Sequence, residues 1–317
     1  MDATSKTYQL VRVAEYYYEQ NLSQVEIAER LGVSRATVSR LLAEALEQGI
    51  VEIIIHRPVE KALGIAETLR STFNLREVIV VRGGDTYQDV LENVGRATAE
   101  LLMCVLSNNA TLGISFGNTL YHTFLAMRKT ELKGIEVIQL MGSLGSDNPA
   151  IDGPELAIRM AERLNGTYRI INAPATVKSK DLRDELLSQP QIQAVLERAS
   201  MAHVIVTGIG SFADEMSSLI RAGYMTLEER SALLSQGAVG HLLARPIDIE
   251  GNEVGCEYAD RVIAAPLSYL RNTDWSIGCS GSPLKATAVL GAIRGHYYNA
   301  LVIDEGTARE VLRLSGH

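Results

Sequence analysis

The sequence predicts an α/β protein in two parts. A small helical unit spans residues 1–57, and a larger unit over 58–317 is built on a parallel sheet with helices on both faces. Three observations predict this. Residues 23–48 read as helix, glycine-containing turn, helix. From residue 77 onward, short β-branched apolar runs alternate with helical stretches. Four of the loops after those runs are rich in Gly, Ser and Thr, at the strand ends where open α/β sheets bind ligands.

The 317 residues suit about two domains and can bury a substantial core. With 46% hydrophobic and 21% charged residues, the composition is that of a globular chain, neither disordered nor fibrous. No apolar run reaches the roughly 18 residues needed to cross a bilayer. The start, Met1-Asp2-Ala3-Thr4-Ser5-Lys6, lacks the basic-then-apolar plan of a signal peptide, which predicts a cytoplasmic protein. Cys104, Cys256 and Cys279 are far apart and form no CxxC, so neither a disulfide framework nor a zinc site is expected. The six histidines form no HExxH or HxxxH pair. No metal and no cofactor is expected.

A net charge of −8 argues against nucleic-acid binding on average, because phosphate neutralisation drives that affinity. The distribution matters more than the mean. Residues 1–57 hold six Lys/Arg against eight Asp/Glu, yet between Arg30 and Ala43 there are three Arg and no acid.

The elements follow in order. Tyr8 to Asn21 carries Leu10, Val13, Ala14 and Tyr17 at i, i+3, i+4, i+7, the spacing of an amphipathic helix. Ser23-Gln24-Val25-Glu26 is a capping box that starts a second helix, and Gly32 ends it. Ser34 caps a third, which runs to about Gln48 and stops at Gly49. On that helix Val38, Leu41, Leu42 and Ala45 share the inward side, while Ala36 and Arg40 lie opposite, flanked by Thr37 and Ser39. Small side chains let a helix backbone enter the major groove, and Arg bonds guanine edges or phosphates. Ser34, Arg35, Ala36, Thr37, Ser39 and Arg40 are therefore the candidate DNA-binding residues. Ile50 to His56 reads as a strand, one arm of a wing, and Pro58 closes the unit. The bland alternative is a three-helix packing module with a solvated basic face.

From Val59 to about Asn74 a mixed-charge helical connector is expected. Strands are predicted at Glu77–Val81, Thr111–Ser115, Glu136–Leu140, His203–Thr207, Val262–Ala265, Ser276–Cys279 and Ala300–Ile303. The four polar loops supply the candidate effector residues. They are Ser115, Gly117, Asn118 and Thr119; Gly142 and Ser143; Gly208 and Gly210; and Ser280, Gly281, Ser282 and Lys285. Ser282 suits a helix cap, Pro283 the first helical position and Lys285 the first turn. Glycine lets backbone amides approach an anion, and helix amino termini add N–H donors with partial positive charge. Together with Lys285 these loops form a phosphate cradle. Each loop alone is as readily a tight turn; four in one sheet strengthen the joint reading. GxxxxGK[ST] is absent, and Gly208-x-Gly210-x-x-Ala213 matches a dinucleotide fingerprint loosely, with Glu228 and Glu229 in a helix where a strand-end acid is needed.

These residues also carry a resemblance. LSQVEIAERLGVSRATVSRLLAEALEQGIVEI, preceded by Tyr16-Tyr17-Tyr18, resembles the DNA-binding domain of the SorC family of bacterial transcriptional regulators, often grouped with sugar-responsive DeoR-type proteins. LGISFGNTL, VIVTGIGS, GAVGHLLARPIDIEGNEV and CSGSPLKATAVLGAIRGHYYNALVIDEGTAREVL look like successive landmarks of that family's sugar-binding domain. The resemblance implies a winged helix-turn-helix followed by a Rossmann-like three-layer domain, similar to glucosamine-6-phosphate deaminase and ribose-5-phosphate isomerase. It implies an effector that is a phosphorylated sugar, and homotetramers or dimers. Carried over by position, the phosphate loops are Ser115 to Thr119 and Ser280 to Lys285, with Gly208 and Gly210 nearby. Two departures bear on which sugar is bound. His241 stands where many relatives are acidic, and Gly281-Ser282 where many have a glycine pair.

The expected function is thus a DNA-binding regulator of a carbohydrate operon, modulated by a phosphorylated sugar or polyol. The alternative is a sugar-phosphate isomerase or deaminase with an appended DNA-binding unit. Asp152, Glu155, Asp214, Glu215 and His241 are its available acid/base groups, and they form no recognisable catalytic constellation. A purely structural module leaves the basic helix unexplained. His203 and Trp275, which flank strands, read as packing residues.

Overall fold

The computed structural model describes residues 3–52, 59–145, 148–212, 217–221 and 223–317. The chain divides into two compact units, Met1–Pro58 and Val59–His317.

In the first unit, α1 (Ala3–Ala14) continues into a wider π turn, Glu15–Glu19, and is followed by α2 (Gln24–Leu31) and α3 (Arg35–Glu47). The predicted capping box forms: Glu26 N donates to Ser23 Oγ at 3.3 Å, and Ser23 N to Glu26 Oε2 at 2.8 Å. Gly32 takes φ +66°, which ends α2 at little steric cost. Val13, Tyr16, Ile27, Ala28, Val38 and Leu42 meet in one small core, so α3 is anchored by its predicted apolar side. The expected strand at Ile50–His56 is not paired over Ile50–Glu52; the remainder, and with it the wing, lies outside the described residues.

The second unit opens with Val59–Ala62, where a helical connector was expected. This segment runs beside the first strand, with Ala62 N donating to Val80 O, and α4 begins only at Leu63 (Leu63–Thr72). Then follow β1 (Glu77–Val81), α5 (Tyr87–Val105), β2 (Thr111–Ile114), α6 (Asn118–Ala126), β3 (Glu136–Gln139), α7 (Gly153–Arg163) and β4 (Thr167–Arg169). The chain continues through α8 (Lys180–Leu187), α9 (Pro190–Ala199), β5 (Val204–Gly208), β6 (Gly210–Ser211), α10 (Ser218–Arg221), α11 (Leu227–Ser235), β7 (Ala238–Leu242) and β8 (Arg245–Asp248). It closes with α12 (Ser268–Asn272), β9 (Trp275–Ser280), α13 (Ala286–Arg294), β10 (Ala300–Asp304) and α14 (Glu305–Ser315).

Among the described residues, seven strands form one sheet in the order β1-β10-β9-β5-β2-β3-β4, every pair parallel. Alternation along each strand feeds two cores. Val204 and Val206 face one layer with α5, α6 and α7; Ile205 faces the other, with α4, α9, α13 and α14. All three are at most 1% exposed, and burying each such side chain contributes about 1.5–3 kcal/mol. The Rossmann-like three-layer reading therefore holds.

Two strand assignments change. Val262–Ala265 is no member of the parallel sheet; it makes only isolated antiparallel bridges, Val262 to Thr176 and Ala264 to Met141. It is buried because it crosses the loops, so its short apolar run read as a core strand. The polar edge strand β4 and the antiparallel set β6-β7-β8 were not foreseen; β4 and β6, of three and two residues, are too short to carry a periodicity. No helix among the described residues is long and apolar enough to cross a membrane.

Candidate functional site

The strand order sets where a ligand sits. From β2 the chain moves outward through β3 to β4, whereas β5, β9 and β10 lie on the other side of β2. The order reverses between β2 and β5, and helices leave the two strands on opposite faces. A crevice therefore opens at their carboxyl ends. Such a cleft exists, with about 580 Å³ of space including its open mouth. It is lined by Ser115, Gly117, Asn118 and Thr119 after β2, by Gly208 and Gly210 after β5, and by Lys285 after β9. Seven of the predicted effector residues thus come together.

The loop after β2 turns directly into α6. Gly117 there takes φ +112°, a conformation that L side chains rarely adopt, and no side chain caps the helix. The first-turn amides of α6 therefore face the cleft with their hydrogen-bonding capacity and the positive end of the helix dipole. Ser115, 2% exposed, accepts from Gly208 N at 3.3 Å and ties the β2 and β5 loops together. A Cβ at Gly208 would meet nothing nearer than Phe116 O at 3.7 Å, so this backbone borders open space.

Lys285 is 9% exposed and closes a tight turn, Pro283–Lys285, that leads into α13. Asp304 positions this turn. Its carboxylate accepts from Ser282 N at 2.9 Å, from Thr307 N at 3.0 Å and from Thr307 Oγ1. Ser282 is held at φ +116° and caps the turn by accepting from Leu284 N. Lining the cleft opposite is His241 of β7, 3% exposed. Neither of its ring nitrogens has a hydrogen-bond partner among the described residues. Burial, reinforced by the nearby Lys285 charge, lowers the imidazole to about 3, so His241 is neutral at physiological pH. A buried cation, uncapped amides and glycine backbone form a site for a compact anion, and the neutral imidazole adds a donor and an acceptor.

The other predicted residues are placed elsewhere. Gly142 is pressed against the 173–174 backbone, and Ser143 donates to Asp152 Oδ2 at 2.5 Å. Ser280 is fully buried at the end of β9, with its hydroxyl unpartnered among the described residues. Gly281 fits under Val90 on α5, where a Cβ would come within 2.6 Å of Cγ1. With Ser282 these residues shape the loops around the cleft without lining it. Tyr87, Phe116, Ile209, His241 and Leu243 line it and were absent from the predicted effector residues. Phe116 and Ile209 were legible as members of the polar loops. Tyr87 and Leu243 had no signal, because only the fold brings them there.

Of the acid/base candidates, Asp152 is already engaged: it accepts from Ser143 Oγ and from the amides of Leu144, Gly145 and Gly153. Glu155 pairs with Arg159 at 2.6 Å. Asp214 and Glu215, like Ala213 of the loose dinucleotide match, lie outside the described residues. His203 Nδ1 accepts from Thr111 N, and Trp275 stacks under Arg76 at 3.8 Å, so both have packing roles.

In the first unit, Ser34 Oγ accepts from Thr37 N at 3.1 Å and caps α3. Ser34, Arg35, Ala36, Ser39 and Arg40 are exposed and Thr37 is half-buried. Arg35 and Arg40 make no ion pair among the described residues, whereas Arg30 stacks on the Tyr16 ring at 4.9 Å. Two arginines and short side chains thus share the outward surface of one helix.

The chain is similar to known proteins along most of its length. Residues 57–313 match the family model Sugar-bind, described as "Putative sugar-binding domain", and residues 12–48 match that of Sigma-70, region 4. The chain is 31% identical over 303 residues to the deoxyribonucleoside regulator of Bacillus subtilis (strain 168), covering 95% of this chain and 96% of that protein. It is 32% identical over 309 residues to the transcriptional regulator LsrR of Escherichia coli (strain K12), covering 96% and 94%. The full-length sorbitol operon regulator SorC from Klebsiella pneumoniae superposes with a TM-score of 0.73 at 26% identity, over 96% of this chain and 98% of that one.

The chain belongs to the SorC family of transcriptional regulators. This SorC-family protein is accordingly a regulator and not an enzyme, as relatives such as the deoxyribonucleoside regulator and LsrR carry regulator names. Of its acid/base candidates, Asp152 and Glu155 are engaged within the fold.

Proposed function

We propose that this SorC-family regulator binds operator DNA through α3 and that a phosphorylated sugar or polyol in the β2/β5 cleft modulates that binding. The observation that carries the reading is the union, at the reversal of strand order, of the uncapped α6 amino terminus with the buried Lys285. The phosphate lies against the amides of Gly117 to Thr119 and Lys285, with Gly208 and Gly210 giving backbone access. A dianion fits there because a buried lysine beside helix amides gains more from charge pairing than from a neutral ligand.

On the DNA side, Arg35 and Arg40 reach bases or phosphates while Ala36 and Ser39 allow close approach to the groove. One such helix reads only a few base pairs. A homo-oligomer, dimeric or tetrameric, places two at half-sites and multiplies their affinity. The effector changes DNA affinity by favouring one quaternary arrangement, and a factor of 5 to 150 requires roughly 1–3 kcal/mol of coupling. Acting on operator DNA places the protein in the cytoplasm.

The test is a thermal-shift screen of the full chain over phosphorylated pentoses, hexoses and polyols, followed by operator binding with and without each hit. A ligand present at 100 times its Kd stabilises the protein by about 2.7 kcal/mol. If no phosphate ester shifts the melting temperature while operator binding persists, the reading of the cleft fails.

A further inference from the structure

The phosphate reading accounts for the polar lining of the cleft and leaves its apolar lining without a task. Tyr87, Phe116, Ile209 and Leu243 also line it, and an inorganic anion has no use for such side chains. Phe116, Ile209 and Leu243 are buried members of the core beneath. Tyr87 joins neither core and stays 38% exposed. Lys285 is buried in the same cleft, so an ester held by its phosphate extends its carbon skeleton outward, toward the mouth where Tyr87 stands.

The backbone of Tyr87 is fixed by its surroundings. It is the first residue of α5, which starts in a capping box: Asp89 N donates to Thr86 Oγ1 at 3.2 Å, and Thr86 N to Asp89 Oδ2 at 2.9 Å. Val90 of the same helix lies over Gly281, in the loop that leads to Lys285, where a Cβ would come within 2.6 Å of its Cγ1. Gln88, next to Tyr87, donates through Nε2 to His122 Nε2 on α6 at 3.3 Å. The first turns of α5 are thus held against both elements that face the anion, and a ring carried on so rigid an element is placed for recognition. A tyrosine ring offers a flat face with negative charge at its centre. A furanose or pyranose offers a matching face of C–H groups. An open-chain polyol presents such a face only when its C–C rotors are frozen, which costs entropy on binding.

We infer that Tyr87 is a specificity-determining residue: its ring packs on the C–H face of the effector and selects a cyclic sugar phosphate over an open-chain one. This rests on the phosphate reading of the cleft and narrows it. Lys285 and the α6 amides answer to the charge, and Tyr87 answers to the shape of what carries it.

Titration calorimetry on the full chain separates the two ideas. The probes are inorganic phosphate and two matched pairs: methyl ribofuranoside 5-phosphate with ribitol 5-phosphate, and methyl glucopyranoside 6-phosphate with glucitol 6-phosphate. The methyl glycosides are locked as rings. Each probe is titrated into wild type, Tyr87→Ala and Tyr87→Phe. At least one ring ester is expected to bind wild type about three- to tenfold more tightly than its open-chain counterpart. Tyr87→Ala should bring that ratio to within about twofold of unity and leave inorganic phosphate affinity within about twofold of wild type. Tyr87→Phe, which keeps the ring and loses the hydroxyl, should retain the ratio. No ring preference in wild type, a preference that survives Tyr87→Ala, or one that Tyr87→Phe also loses overturns the inference and leaves the phosphate site standing. Failure of wild type to bind any probe overturns the phosphate reading and the inference with it. If Tyr87→Ala does not fold, Tyr87→Leu, which is apolar without a flat ring, replaces it under the same criteria.

Discussion

The ring of His241 lies against the backbone of Gly210 so closely that a methyl group added there would come within 2.1 Å of its Cε1 and Nε2. Gly210 is thus required by its neighbour and not by its own backbone, which is ordinary β. Gly210→Ala should force the ring out of its place, lower stability by about 1–3 kcal/mol through overpacking, and weaken effector binding. Denaturant unfolding and calorimetry check both effects. Wild-type values for each would show that the ring moves aside freely and is not fixed in its place.

Arg40→Ala should weaken operator binding by about 1–3 kcal/mol if the guanidinium contacts a base. Its side chain is exposed and makes no ion pair among the described residues, so the melting temperature should not change. Mobility-shift titration at fixed salt measures the loss; unaltered affinity removes Arg40 from the interface.

Lys285→Ala should abolish most of the response to effector while effector-free operator binding stays at the wild-type level. The comparison is made on one operator with and without the best ester. A full response in the variant would place the phosphate elsewhere.

Asp304 holds the turn that presents Lys285, through Ser282 N and Thr307. Asp304→Ala leaves the buried Thr307 donors and the part-buried Ser282 N unpaired and should cost about 2–4 kcal/mol of stability. It should also reduce inorganic phosphate affinity although Asp304 does not line the cleft. Retained phosphate affinity in a destabilised variant would assign Asp304 to stability alone.

His241 also predicts a pH dependence. Its folded-state value of about 3 lies below the ordinary 6.5, so between these two pH values the unfolded chain binds a proton that the folded chain does not. Stability from this residue is therefore complete above about pH 6.5 and declines as pH falls, by up to about 1.4 kcal/mol per unit. His241→Gln should lose less stability than wild type between pH 7 and pH 5. Urea unfolding at several pH values tests this, and parallel slopes for the two proteins would show that the ring takes up its proton in the native state as readily as in the unfolded chain.

Much was legible in the residues because it is local. Ser23, Glu26, Gly32 and Ser34 specify their caps within four residues, and Val38, Leu42 and Ala45 fix the buried side of α3 through the helical period. The glycine-rich loops after β2 and β5 were legible for the same reason, as were the alternating apolar runs that became strands. Local chemistry determined which segments are helices, which are strands and which loops can approach an anion.

Only the tertiary structure decided which of those loops share one cleft. Strand order places β5 beside β2 and leaves the Gly142–Ser143 loop bonded to Asp152, and a sequence does not state strand order. The short β6-β7-β8 sheet carries His241 across from Gly210, 31 residues away, and covers both of its nitrogens without pairing them. Burial and missing partners are properties of the packed chain. Spacing along the backbone cannot encode them, because they depend on what long-range contacts bring near and what they leave out.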